Sequence, residues 1–387
     1  MNNTFFIASR MRYKRPVVTV SITISYIVMI VAMAVSSGFR NEVREALSQM
    51  GGDVQLLPSN MNYMEEAKPV RTTASYIRQL KAVRGVESVE PAIYKAGIVK
   101  TGDQIHGIVV KGIASDDTTS LSVSIPRKLS KAGGLKVGDK MLTYFVGEKI
   151  KARNFKVTSV YDPIVETDNQ LIVYANIKDL RRLNGWSEDE ASMMEIRMKP
   201  DYRDEMNINY ATQEIGFIAY SHSSETENNL YASSTLSRYP QLFDWLNLLD
   251  FNVLFVLVLM MIVAGFNMIS GLLITLFENI STIGVFKAMG MTNSAISKIF
   301  LTSSAVLVLK GMLIGNLLAG IFCFVQNKFH LMKLDPTNYF VSFVPVNVNV
   351  SGVLTLNIVS FVVIMALLLI PCAFISRVDP ADTVRVR

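Results

Sequence analysis

The residues whose types invite chemistry in this 387-residue sequence are three histidines, two cysteines and one glycine-rich turn. His106, His222 and His330 stand far apart, whereas zinc sites are built from ligands at short, regular spacings. Cys323 and Cys372 fall inside two different apolar stretches, near opposite ends of the helices these predict, and are too distant to bridge. The run Gly133–Lys140 (GGLKVGDK) imitates a G-x-x-x-x-G-K-[ST] phosphate loop, but Asp139 holds the place of the lysine and would repel phosphate. A G-x-S-x-G nucleophile turn does not occur. The expectation is a chain without catalytic residues, metal ligands or a cofactor of its own, and therefore without its own nucleotide engine.

One further charged residue is out of place. Lys310 interrupts an otherwise uncharged apolar run from Ile299 to Gln326, eleven residues in and so roughly 16 Å deep. A cation at that depth is costly and should meet a partner, a wet cavity or the bundle interior; a structural charge is favoured over a lipid-headgroup contact. Just after it, Gly311, Gly315 and Ala319 form a small-xxx-small face that allows close helix packing in lipid.

The elements that carry these residues are membrane spans. Val17–Val35, Phe251–Phe277 and Val353–Ile375 are also uncharged, and each reaches the roughly 20 residues a bilayer core requires. The first is read as an uncleaved anchor, because its apolar core exceeds that of a signal peptide. The predicted fold is therefore membrane α-helical, with four transmembrane helices and a large extracytoplasmic mixed α/β domain between helices 1 and 2. The boundaries are 1–37 for the N-terminus and helix 1, 38–250 for the outside domain, and 251–387 for the three-span block with its loop 278–298 and tail.

The net charge of +6 could suggest a nucleic-acid partner, but its positions do not. Residues 1–16 carry Arg10, Arg12, Lys14 and Arg15 without an acid. The 278–298 loop has Lys287 and Lys298 against Glu278, and the tail has Arg377, Arg385 and Arg387 against Asp379 and Asp382. These segments hold the entire surplus; the other 29 basic and 29 acidic residues cancel. The pattern places both termini and the loop in the cytoplasm and the large domain outside.

In that domain, Ile105–Ile113, Met141–Val146, Phe155–Tyr161 and Leu171–Tyr174 read as strands. Thr72 or Thr73 could cap a helix running to Arg84 and stopped by Gly85, and Asn176 and Gly185 bracket a second. Residues 201–250, with two basic and eight acidic side chains, read as the return limb into the second span. Phe39, Leu254 and Met261, placed near the outer leaflet, are candidates for a lipid path between the first two spans. Met260 and Met268 extend a methionine stripe that packing explains more simply.

The loop 278–290 (ENISTIGVFKAMG) is the most informative stretch. Ile280, Ile283, Val285 or Phe286, and Met289 recur at helical spacing, Gly290 suits a helix end and Thr292 can cap the next helix. A helix lying on the membrane surface and a helix that docks into a cytoplasmic partner both fit. Glu278, Ile283-Gly284, Lys287-Ala288 and Gly290 follow the E-x-x-x-x-I-G-x-x-K-A-x-G pattern, and the chain resembles the FtsX/MacB-type ABC transporter permeases. Ser37-Gly38-Phe39, Leu334-Asp335-Pro336 with Tyr339, Pro345 and Val346, and Asp379-Pro380-Ala381 with Val384-Arg385 extend the likeness toward the lipoprotein-releasing LolC/LolE branch.

That resemblance implies a bacterial inner-membrane permease subunit that is not itself an enzyme. A cytoplasmic ABC ATPase would hold ATP and Mg and bind the loop helix through Glu278, Ile283, Gly284, Phe286, Lys287, Ala288 and Gly290. It further implies a second copy or related permease, a lipoprotein cargo and a periplasmic carrier. An FtsX-like regulator of an outside hydrolase and a MacB-type exporter share the same plan and remain alternatives.

Overall fold

The computed structural model describes residues 16–59, 61, 69–73, 75–101, 104–114, 120–145, 147, 150–162, 171–222, 229–335 and 341–373. The basic residues Arg10 to Arg15, Pro336 and Tyr339, and the tail from Arg377 lie outside them. The chain forms two compact units: residues 1–41, 245–333 and 343–387, and residues 42–244 with 334–342.

The first unit is helical. It contains most of α1 (Pro16–Gly51) and of α7 (Pro240–Glu278), then α8 (Ile280–Ala288), α9 (Asn293–Phe329), α10 (Val350–Leu367) and the short α11 (Leu369–Cys372). Among the described residues, α1, α7, α9 and the α10–α11 segment are long and apolar enough to cross a membrane. The first three exceed the apolar runs read from the sequence, because polar residues continue those helices beyond them, while the fourth is described from Val350 to Cys372. Ile22, Tyr26 and Met29 of α1 pack with Ala264, Met268 and Leu272 of α7, Phe300 and Val308 of α9, and Ile364 of α10. Polar pairs pin the same bundle: Asn316 and Asn357 exchange amide hydrogen bonds between α9 and α10 at 2.9 and 3.1 Å. Asn267 donates to Ser21, and Arg40 and Ser36 both meet Asp250. Such bonds are favoured where no water competes.

The second unit is mixed α/β. Its strands are β1 (Val54–Pro58), β2 (Val70–Arg71), β3 (Val86–Thr101), β4 (Gln104–Ile113), β5 (Ser122–Pro126), β6 (Lys140–Phe145), β7 (Lys151–Tyr161), β8 (Ile172–Asn176), β9 (Glu190–Ala191), β10 (Met193–Met198) and β11 (Leu230–Ser234). Between them lie α2 (Tyr76–Ala82), α3 (Arg127–Gly133), α4 (Ile177–Asn184), α5 (Glu205–Ser221) and α6 (Thr235–Arg238). The main sheet runs β11-β1-β10-β3-β4-β8-β5-β7-β6, and β6 pairs back onto β3. The portion from β3 through β6 therefore closes on itself around Ile93, Val110, Phe145, Phe155 and Val173. The other portion packs Val54, Met194 and Ile196 against Leu80 of α2 and Ile208 and Ile215 of α5. β3 is long enough to serve both cores: Val86 and Val89 belong to the second, Ile93 and Val99 to the first.

Local signals explain several boundaries. The Asn176 side chain accepts from the Lys178 N–H, and Gly185 ends α4 at φ +75°. The expected helix from Thr72 or Thr73 to Arg84 is shorter. It begins at Tyr76 after Ser75 and ends at Ala82, because Val83 is already extended (ψ 136°) and Gly85 (φ +86°) redirects the chain into β3. The stretch 201–250 is more than a return limb. Asp204 caps α5, which buries Ile208, Ala211, Ile215 and Ala219, and β11 and α6 follow before α7 begins.

Candidate functional site

Helix α8 is bounded by breaks that its sequence supplies. Asn279 leaves helical geometry (φ −106°, ψ 19°) and its side-chain amide turns back to donate to the Thr275 carbonyl, which separates α7 from α8. At the other end Met289 N–H donates to Val285 O and Gly290 N–H to Lys287 O. Gly290 then takes φ +84°, a conformation that side chains resist, and Thr292 Oγ1 accepts from Ala295 N–H to start α9. The residue types at 279, 290 and 292 thus fold the loop into one helix held between two long ones.

The faces of α8 divide sharply. Ile283 and Gly284 are buried, with Ile283 only 1% exposed in the bundle core and Phe286 packed beside it. Ser281, Thr282, Val285, Ala288 and Met289 point outward, and Met289 is 72% exposed. The apolar stripe read from the sequence is therefore two surfaces: Ile283 and Phe286 hold α8 to the bundle, while Val285 and Met289 face away. Of the residues expected to meet a partner, Glu278, Ala288 and Gly290 are exposed, Phe286 and Lys287 half-buried, and Ile283 and Gly284 turned inward. Val285 and Met289, which the sequence placed in the apolar stripe, lie outside the family pattern, and at 3.6 residues per turn they fall opposite 283 and 287. The arrangement presents a short ridge with Glu278 and Lys287 as its charged side chains. Among the described residues no cluster of metal-ligating side chains occurs.

The other singled-out residues have separate places. Lys310 lies on the exposed side of α9 beside Leu309 and Leu313, not in the interior of this chain's bundle. Gly311 and Gly315 face α1 at close range: a Cβ added to them would fall 2.7 Å from Ile22 Cγ2 and 2.6 Å from Tyr26 Cβ. Thr23 Oγ1 donates across the gap to Gly311 O at 3.3 Å, and Ala319 is fully buried. Phe39 is buried edge-on against Trp245, with ring centroids 6.0 Å apart. Leu254 is exposed and Met261 half-buried further along α7, the former about 13 Å of helix beyond Trp245. The two cysteines are buried and free.

Comparison with known proteins gives a likeness along the whole chain. The family model of the MacB-like periplasmic core domain matches residues 17–215, and that of the FtsX-like permease C-terminal matches residues 254–380. The lipoprotein-releasing system transmembrane protein LolC of Xylella fastidiosa is 19% identical over 394 residues, covering 94% of this chain and 92% of that protein. The corresponding LolE of Haemophilus influenzae is 22% identical over 430 residues, covering 99% of each. Among solved structures, the periplasmic region of MacB from Actinobacillus actinomycetemcomitans aligns with 50% of this chain and 93% of its own at 13% identity, with a TM-score of 0.34.

Proposed function

The chain belongs to the ABC transporter permeases of the FtsX/MacB family, and on that premise we propose that it releases acylated lipoproteins from the inner membrane, driven by a separate cytoplasmic ATPase. The observation that carries this reading is α8, a short helix presented by two membrane-length helices with one face buried and the other free. A helix ridge of this kind suits insertion into a groove. In this reading Val285 and Met289 enter a cleft on the ATPase, while Ile283, Gly284 and Phe286 pass the load into the bundle. ATP and Mg belong to that partner.

The end-to-end likeness to LolC and LolE, transmembrane proteins of a lipoprotein-releasing system, supports this cargo. Lengths agree with the transmission this requires. α1 has 36 residues and α7 has 39, roughly 54 and 58 Å at 1.5 Å per residue, against a hydrocarbon core of about 30 Å. Both helices contribute residues to each unit, so a displacement at α8 has a continuous element along which to act. The cytoplasmic side of α8 follows from the basic flanks, and a second permease, the same or related, completes the transporter.

Replacing Val285 or Met289 with Asp tests the docking. The expected result is loss of ATPase co-purification and of stimulated ATP hydrolysis, with the bundle's thermal stability unchanged because both side chains face out. Retained stimulation would overturn the docking role. Stimulated hydrolysis without departure of a lipidated protein from vesicles would overturn the lipoprotein cargo in favour of an exporter or regulator.

A further inference from the structure

α1 ends on Met50 and Gly51, Gly52 follows, and the carbonyls of all three lack partners within the helix. Inside the second unit each finds a side-chain donor. Lys111 Nζ donates to Met50 O at 2.8 Å. Gln55 Nε2 and Arg238 Nη1 donate to Gly51 O at 3.0 and 3.2 Å, and Arg238 Nη2 to Gly52 O at 2.7 Å. Two cations here also meet the negative end of the helix dipole. Glu195 completes the set, accepting from Lys111 Nζ at 2.7 Å, Tyr94 Oη at 2.5 Å and Gln55 Nε2 at 3.4 Å. The Lys111 and Glu195 side chains are 2% and 13% exposed, burial that charges tolerate only when paired.

The glycines answer to the same cluster. A Cβ at Gly51 would stand 2.9 Å from Arg238 Nη1 and 3.1 Å from Gln55 Nε2. Arg238 also sits two residues before Pro240, where α7 begins. Around it Thr235 N–H donates to Asp53 O at 2.9 Å, and β1 pairs with β11 from Val54–Ser234 to Pro58–Leu230. One guanidinium therefore joins the residues that leave α1 to those that lead into α7. Lys111 and Glu195 tie the first of these to β4 and β10, through Met50 O and Gln55.

We propose that Arg238, Lys111 and Glu195 form a clamp that makes the end of α1 and the start of α7 move with one sheet, and that they are positioning residues for transport. This rests on the permease reading above. Without the clamp, a stroke carried by either helix would be absorbed by slack between Met50 and Val54 and between Ser234 and Pro240.

The test uses the full chain, purified with the ATPase that accompanies it and reconstituted in vesicles holding an acylated lipoprotein. R238Q removes the shared guanidinium, and G51A displaces it without deleting it. Lys111→Met combined with Glu195→Met removes both buried charges together, so that neither is stranded. Amide hydrogen exchange at Gly52, Asp53 and Thr235 is expected to quicken by about tenfold or more, while Met141 and Phe155 in the other core keep wild-type protection. ATP hydrolysis should stay within about twofold of wild type while release falls by about fivefold or more, with R238K recovering part of it. Unchanged exchange overturns the clamp, and faster exchange with full release overturns its role in transport. A wild-type complex that neither hydrolyses ATP nor releases lipoprotein overturns the permease reading, and the exchange result still decides the clamp.

Discussion

Asp53 follows the glycine pair at the end of α1 and is 1% exposed. Its carboxylate accepts from Met198 N–H at 2.7 Å and Ser48 Oγ at 2.8 Å, with Arg203 Nε at 3.3 Å. Burial nevertheless outweighs these partners and pushes its pKa above the ordinary aspartate range. A carboxyl raised in the folded state holds its proton more tightly there than in the unfolded chain. Its contribution to stability is complete below the unfolded value of about 3.9 and is lost as pH rises through the folded one. Asp53→Asn removes this dependence, so we expect thermal melts of the detergent-solubilised variant to lose less stability than wild type as pH rises above the unfolded value of about 3.9. A slope equal to that of wild type would show that Asp53 does not titrate in this way. Asp53 could not be singled out in the sequence, because its weight comes from Met198 and Arg203, some 150 positions away.

Among the elements, α1 meets α9 at the small residues Gly311 and Gly315. Gly315 faces Tyr26 Cβ at 2.6 Å and the Thr23 carbonyl at 3.1 Å, measured from a Cβ built on it, so any side chain must push backbone aside. Gly315→Leu should destabilise the bundle by about 1–3 kcal/mol, the usual cost of overpacking, and lower its melting temperature in detergent. Gly320, whose added Cβ meets nothing within 4 Å, is the matched control and should tolerate Ala or Leu. The sequence made these helices legible because apolar runs, Gly290 and Thr292 act locally. It also made the face 311–315–319 legible, though not the helix that occupies it. The sheet was read far less well. β1, β3, β5, β10 and β11 are not legible there, and α5 is hidden by its own composition. It buries Ile208, Ala211, Ile215 and Ala219 but also exposes Met206, Tyr210, Phe217 and Tyr220, which blurs the single stripe that marks a surface helix.

Across the whole molecule, apolar length carried the helical architecture, while strand pairing order stayed out of reach. The parallel pairs β4–β8 and β5–β7 and the closure of β6 onto β3 join segments that no turn signal connects. Because β3 supplies side chains to both cores of the second unit, the two should open together. Exchange of the Val89 and Val99 amides is expected to converge on one opening free energy in mild denaturant, where independent cores would give two. The same strand bears on how such a chain can change over time. Sliding β3 by one residue would turn Ile93 and Val99 out of one core and Val86 and Val89 out of the other. Insertions and deletions within residues 86–101 are thus penalised twice for a single event. Related chains should differ in length elsewhere and keep this strand at constant count even where its residues are replaced.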